Sequence, residues 1–294
     1  DGEGLALSFG DQPVAREAVD ANARLLASTL TLETAAARSR SLVNVSAASY
    51  LESEFAAGQL LTAFSSGSSG GSGLATTTTA ATNPAALPTA LAGTTVRITD
   101  RDGDVHAASL LFVSPGQVNY LLPERLPAGV ATVTITSGDG TVSSGLIEIA
   151  EAAPSLFTAN ADGTGVPAAV LLRVLPDGSQ RYEAVATYDS AQQRFVAAPI
   201  DLLDRGGASD EQVFLVLFGT GLGNFASRPD AAARVTGDAG TTALPISFAG
   251  RQGSLPGVEQ INLRLPRSLA GKGALDLQLI HATGASNAVR ILVR

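Results

Sequence analysis

The chain has 294 residues, enough for about two domains of ordinary size, each able to bury a core without metal or disulfide staples. Hydrophobic residues make up 45% and charged residues 16%, with 31 Gly and 14 Pro, a turn-rich globular composition that excludes a disordered chain. The net charge of −8 disfavours nucleic acid as a partner, and zero Cys excludes disulfides, thiolate metal sites, Cys nucleophiles and lipid anchors on Cys.

The first stretch, residues 1–42, differs from the rest. Gly4-Leu5-Ala6-Leu7-Ser8-Phe9-Gly10 places Leu5, Leu7 and Phe9 on one face of an extended segment, the period of a half-buried strand. Asp11 and Pro13 are placed to open a helix, but its apolar stripe is mostly alanine. The chain starts at Asp1 and contains no Met, so removal of an initiator and a leader is expected. The densest apolar run, Val213 to Phe218, has the length of a strand and not of a membrane span.

From about Leu42 onward short strands alternate with Gly, Pro, Asn and Asp. Strands are predicted over 59–64, 94–99, 107–113, 117–122, 131–136 and 146–149, at the spacing of an antiparallel sandwich. The tract Ser65 to Gly73 is a glycine-serine loop. Internal similarity then fixes the organisation. Gln117-Val-Asn-Tyr-Leu-Leu-Pro123 aligns with Gln260-Ile-Asn-Leu-Arg-Leu-Pro266, and Leu126 with Leu269 at the same offset. Leu60 to Ser66 echoes Val213 to Phe218, each with Gly-Leu following (Gly73-Leu74 and Gly221-Leu222), and both halves close on an apolar strand. The expected fold class is all-β: two tandem immunoglobulin-like β-sandwiches, 43–150 and 151–294, behind an extended N-terminal arm, 1–42. The matched Gln and Asn are expected to bond loop backbone in each half.

Val43-Asn-Val-Ser-Ala-Ala-Ser-Tyr50, Leu111-Phe-Val-Ser-Pro-Gly-Gln-Val-Asn-Tyr120, Phe157-Thr158, Phe218-Gly-Thr-Gly-Leu-Gly223 and Ser286-Asn287 to Arg294 occur in that order, over about residues 43–294. In these segments the chain resembles the Solibacter uncharacterised C-terminal domain family of secreted bacterial proteins. The resemblance implies an extracellular or cell-surface location and tandem immunoglobulin-like domains similar to IPT/TIG domains. It implies no activity and transfers no catalytic residue. The glycine-serine insertion Gly67 to Gly73 departs from that family's tight Phe-x-x-Gly-Leu loop.

Candidate chemical motifs each have a structural reading. Gly219-Thr-Gly-Leu-Gly223 follows a strand as a dinucleotide loop would, but Asn224-Phe-Ala-Ser-Arg-Pro229 offers no helix to hold a phosphate. Gly67-Ser-Ser-Gly-Gly71 matches a nucleophile elbow only by letter. Asp100-Arg-Asp-Gly-Asp104 groups three carboxylates, yet breaks the EF-hand pattern and reads as a hairpin turn, with adventitious Ca²⁺ as the alternative. His106 and His281 lack neighbours at metal-ligand spacing. Asn44-Val-Ser46 is a glycosylation sequon by pattern alone.

The expectation is therefore a protein with no enzymatic activity, no catalytic or metal-binding residues and no cofactor. It is a secreted structural subunit whose Leu5, Leu7 and Phe9 bind a neighbouring subunit by strand addition, giving a homopolymeric filament or surface fibre. The alternative is a monomeric cell-surface adhesion or glycan-binding module with surface polysaccharide as its partner.

Overall fold

The computed structural model describes residues 39–65, 73–203, 211–223, 225–281 and 284–294. Among them the chain forms strands, two short 3₁₀ turns and no α-helix, so the molecule is all-β and contains several sheets. Leu5, Leu7 and Phe9, the rest of 1–38, and most of the glycine-serine tract (66–72) lie outside the described residues.

The first half carries β1 (Ser39–Ser46), β2 (Leu60–Ser65), β3 (Thr79–Ala80), β4 (Thr94–Thr99), β5 (Val105–Ala107), β6 (Ser109–Val113), β7 (Gln117–Leu121), β8 (Gly129–Thr136) and β9 (Val142–Ala150), with two-residue pieces between. Its sheet order is β3-β6-β7-β2-β1-β9-β8-β4. β1 belongs to both layers: Ser39 to Ser41 run parallel to β9, and Leu42 to Ser46 pair antiparallel with β2. The two layers close on one core, with Leu61, Leu110, Val118 and Tyr120 from one and Val96, Ile98, Val133 and Ile147 from the other. The period-2 pattern is plain in β8, where Ala131, Val133 and Ile135 are buried and the threonines between them are not. Asp139 and Gly140 supply the turn into β9: the Asp139 carboxylate accepts the Thr141 N–H, and Gly140 has a positive φ of 84°.

The second half carries β10 (Ala169–Val174), β11 (Gln180–Ala184), β12 (Gln212–Thr220), β13 (Ala232–Gly237), β14 (Gly240–Leu244), β15 (Ile246–Arg251), β16 (Glu259–Arg264), β17 (Gly273–His281) and β18 (Val289–Val293). One sheet runs β11-β10-β12-β16-β15 and another runs β18-β17-β13-β14. They enclose a separate core from Leu156 to Val293, with Leu215, Leu217, Ile261 and Leu263 on one side and Val235, Leu277, Leu279 and Ile291 on the other. Between β11 and β12 the chain adds a small two-stranded hairpin, Ala186–Asp189 against Arg194–Ala197, that has no counterpart among the described residues of the first half.

The internal repeat extends to hydrogen bonds and defects. Phe64 stands opposite Gln117 in β7, and Phe218 opposite Gln260 in β16. The ladder from β6 to β7 shifts register between Leu110 and Phe112, directly across from Tyr120 and Asn119. The ladder from β15 to β16 shifts at the matching place, between Ile246 and Phe248 across from Leu263 and Asn262. The matched amides differ from the expectation that they bond loop backbone. Gln117 Nε2 donates to Asn119 Oδ1 at 2.8 Å, and Gln260 Nε2 donates to Asn262 Oδ1 at 2.8 Å. The reason is strand geometry: residues i and i+2 share a face, and the longer Gln side chain spans the pleat to the shorter Asn. Each pair satisfies half-buried amide atoms of its own on the strand that faces the bulge.

Candidate functional site

Buried contacts join the two halves at a junction. The Leu60 N–H, at the start of β2, donates to the Thr220 hydroxyl at the end of β12 over 2.9 Å, and both residues are buried. Thr220 is followed by Gly221, whose carbonyl accepts the Ala153 N–H. Gly221 has φ of 77°, and a methyl group there would stand 2.5 Å from the Ala153 carbonyl oxygen and 2.6 Å from Gln59 Cδ. Gly257 is similar: a methyl group would meet Leu121 Cδ1 at 2.5 Å and Leu60 Cγ at 2.6 Å. Only glycine combines these positive φ angles with so close an approach, to backbone at Gly221 and to leucine side chains at Gly257. Gln59 is wholly buried at the seam, and its Oε1 accepts the Ala56 N–H at 2.7 Å. Arg251 reaches across to Glu124 at 2.7 Å, but both side chains are mostly exposed, so the pair adds little beside the buried contacts.

A cleft of about 930 Å³ opens along one side of this junction, with Gly58, Glu124 and Leu126 on one wall and Arg251, Pro256 and Glu259 on the other. Glu259 is its most perturbed acid. Burial pushes the carboxyl above its ordinary range, against the opposing effects of backbone hydrogen bonds and the Arg251 charge. One of its oxygens accepts the Leu222 N–H at 2.6 Å. The carboxylate is therefore committed to the Gly221–Leu222 backbone and fastens the exit of β12. Sequence reasoning passed over Glu259, because nothing in a Val-Glu-Gln triplet marks a junction residue.

The same geometry decides the motifs read from the sequence. Gly219-Thr-Gly-Leu-Gly223 leaves β12, packs on the linker and continues into the three-residue 3₁₀ turn Phe225–Ser227. Its Leu222 N–H is held by Glu259, so this is a glycine-rich strand exit and not a phosphate cradle. Asp100 closes the hairpin between β4 and β5. Its Oδ1 accepts the N–H groups of Asp102 and Asp104 at 3.0 Å, and its Oδ2 lies 2.8 Å from His106 Nε2. The His106 hydrogen bond, with the two turn N–H groups, holds the Asp100 carboxyl below the usual range. His281 is buried and meets Phe225 edge-on at 6.4 Å between ring centroids. Among the described residues no three His, Asp or Glu side chains converge as a metal site requires. Gly67-Ser-Ser-Gly-Gly71 lies outside the described residues, as do Leu5, Leu7 and Phe9.

Several segments singled out in the sequence act as structural fasteners. Asn44, only 6% exposed, accepts the Tyr120 hydroxyl at 3.0 Å, which leaves no room for a glycan on the sequon. Burial raises the Tyr120 phenol above its ordinary range. Asn287 accepts the Leu156 N–H at 2.8 Å and donates to the carbonyls of Leu156 and Gly163 at 2.9 Å, tying the last strand to the first residues of the second half. No protein-family model matches the chain, and no curated protein matches it significantly. Among the described residues no helix is long and apolar enough to cross a membrane.

Two substitutions test this reading of the junction. Gly221→Ala is expected to cost about 1–3 kcal/mol through the strained φ and the lost close approach, read as a lower urea midpoint. An unchanged midpoint would show that the two halves are not in contact there. Glu259→Gln should match or exceed the native protein in stability at pH 7. A carboxyl raised by burial is penalised when charged, and that penalty disappears as pH falls through its folded pKa. The gap between variant and native protein should therefore close on acidification from pH 7 to about pH 4. A gap that widens on acidification would contradict the burial argument.

Proposed function

We propose that the protein is a non-enzymatic, secreted structural subunit. In this reading residues 43–150 and 151–294 are two tandem immunoglobulin-like sandwiches, preceded by an arm of residues 1–42. The arm's Leu5, Leu7 and Phe9 add as a strand to a neighbouring copy, building an extracellular filament or surface fibre. The observation that carries this reading is the junction, where a buried hydrogen bond and close glycine contacts join the two β units, as a subunit that transmits force along a fibre requires. The two separate cores and the duplicated bulge and amide pair support the division into two like units. Two acids support a structural role, since Glu259 and Asp100 are spent on backbone N–H groups. A head-to-tail contact between identical copies that does not close makes a fibre.

A second reading, a monomeric adhesion or glycan-binding module, has one observation in its favour. Tyr188 and Phe195 are exposed on the added hairpin and meet edge-to-face at 5.4 Å, and Tyr182 is 62% exposed on β11. Such flat aromatic faces suit stacking against a sugar.

Negative-stain microscopy of the full chain and of a chain lacking residues 1–12 separates the two. The first reading expects polymers only from the full chain, with equal thermal midpoints for both. Polymers that persist after trimming refute the arm mechanism; monomers that bind polysaccharide saturably support the second reading.

A further inference from the structure

The two halves differ at one edge. In the first half, the outer edge of β6 is covered by β3: Thr79 pairs with Val113, Ala80 with Phe112, and the Ala81 N–H donates to the Leu111 carbonyl at 2.8 Å. β15 occupies the matching position in the second half, with the same bulge, and among the described residues no strand pairs with its outer edge. The reason is connection length. The first half spends the chain from Leu74 to Thr94 between its matching strands, and the second half has only Leu222 to Ala232. The 3₁₀ turn Phe225–Ser227 lies beside β15 but does not extend its ladder.

The register identifies which backbone groups are exposed. The Gln252 N–H donates to the Val258 carbonyl, so by antiparallel alternation Gly250 also faces β16, while Ala249 and Arg251 aim their N–H and C=O groups outward. Ala249 and Gly250 carry almost no side chain to shield that edge. Natural sheets cover or charge such edges, since they template the addition of another strand. Exposed arginines flank it at both ends: at one Arg251, which also holds the exposed pair with Glu124, and at the other Arg264, whose N–H is bonded to the Pro245 carbonyl. The period-2 segment Gly4 to Gly10 is flanked by Asp1 and Glu3 on one side and Asp11 on the other, with no basic residue before Arg16. The stretch from Gly10 to residue 38, at about 3.3 Å per extended residue, is long enough to reach a neighbouring molecule.

We propose that β15 is the acceptor edge, and that Gly4 to Gly10 of a second copy adds to it as an antiparallel strand, in the place that β3 fills in the first half. This rests on the strand-addition reading above and names its second surface. Main-chain hydrogen bonds from Ala249 and Arg251 supply affinity, and the acidic residues beside the Leu5, Leu7 and Phe9 triplet meet Arg251 and Arg264. The attraction between these exposed charges weakens as salt rises.

Because the native chain has no Cys, single-cysteine full-length variants report the contact directly. Mixing Ser8→Cys with Ser247→Cys should give a disulfide-linked dimer in at least about tenfold higher yield than mixing Ser8→Cys with Ala243→Cys, which labels the edge strand β14. Equal yields, or a preference for Ala243→Cys, overturn the acceptor assignment. A Ser8→Cys/Ser247→Cys double variant that links only within one molecule overturns the second copy as occupant. Ala249→Pro removes an outward N–H while leaving the ladder to β16, and should abolish polymers with its thermal midpoint unchanged. If trimming residues 1–12 abolishes polymers but folded Ala249→Pro still makes them, the β15 assignment fails and the arm mechanism stands. If trimming changes nothing, both fail.

Discussion

Two buried hydrogen bonds, from the Leu60 N–H to the Thr220 hydroxyl and from the Ser49 hydroxyl to the Ser155 hydroxyl, and the glycines around the first hold the two halves of this molecule together. The Leu60 N–H would be an orphan at the start of β2, and it is satisfied across the seam by the Thr220 hydroxyl. Burying an unpaired N–H costs on the order of 1–3 kcal/mol, so parting the halves exposes a penalty and not merely a lost contact. The bond forms only because Gly221 and Gly257 let backbone and side chains approach to distances that a Cβ would forbid. Glu259 then fastens the loop that carries Gly221 and Leu222. Order at the junction therefore depends on steric permission first and on electrostatics second, as the exposure of the Arg251–Glu124 pair shows.

Duplication explains what the two halves share, and connection length explains where they diverge. The Gln-x-Asn pair and the facing bulge recur together: in each half the ladder shifts register directly across from the Asn, and the Gln two residues earlier bonds that Asn side chain along the same strand face. The edge strands face no such local demand, so they vary freely. The first half covers β6 with a long extended connection, whereas the second shortens that connection and instead adds a hairpin after β11. An uncovered edge can template a further strand, so the shorter connection leaves β15 open to strand addition where β6 is covered.

Much of the β architecture was legible in the sequence, because period-2 burial and turn residues are local signals. The strand expected at 94–99 is found at Thr94–Thr99, and the one expected at 117–122 at Gln117–Leu121. The strand at 107–113 is broken at Ala108 into two pieces, since Ser109–Val113 pairs in one layer and Val105–Ala107 in the other. The partners of Gln117 and Gln260 were not legible. The spacing fixes which face an amide occupies, and only coordinates show that its nearest acceptor is the neighbouring Asn rather than a loop carbonyl. The junction was invisible for a different reason. Gly221 and Gly257 look like ordinary turn glycines, and the groups that require them, Ala153, Gln59, Leu60 and Leu121, lie far away in the chain. The uncovered edge of β15 is likewise a property of two halves compared in space.

If the junction holds, the two halves keep one orientation. Spin labels on cysteines introduced at the exposed positions Leu146, in the first half, and Leu255, in the second, would measure it by pulsed electron resonance. A single narrow distance distribution, unchanged between low and high salt, is the predicted result. A broad distribution, or one that widens with salt, would mean that the halves pivot freely and that the buried contacts between Leu60, Thr220 and Gly221 do not hold them.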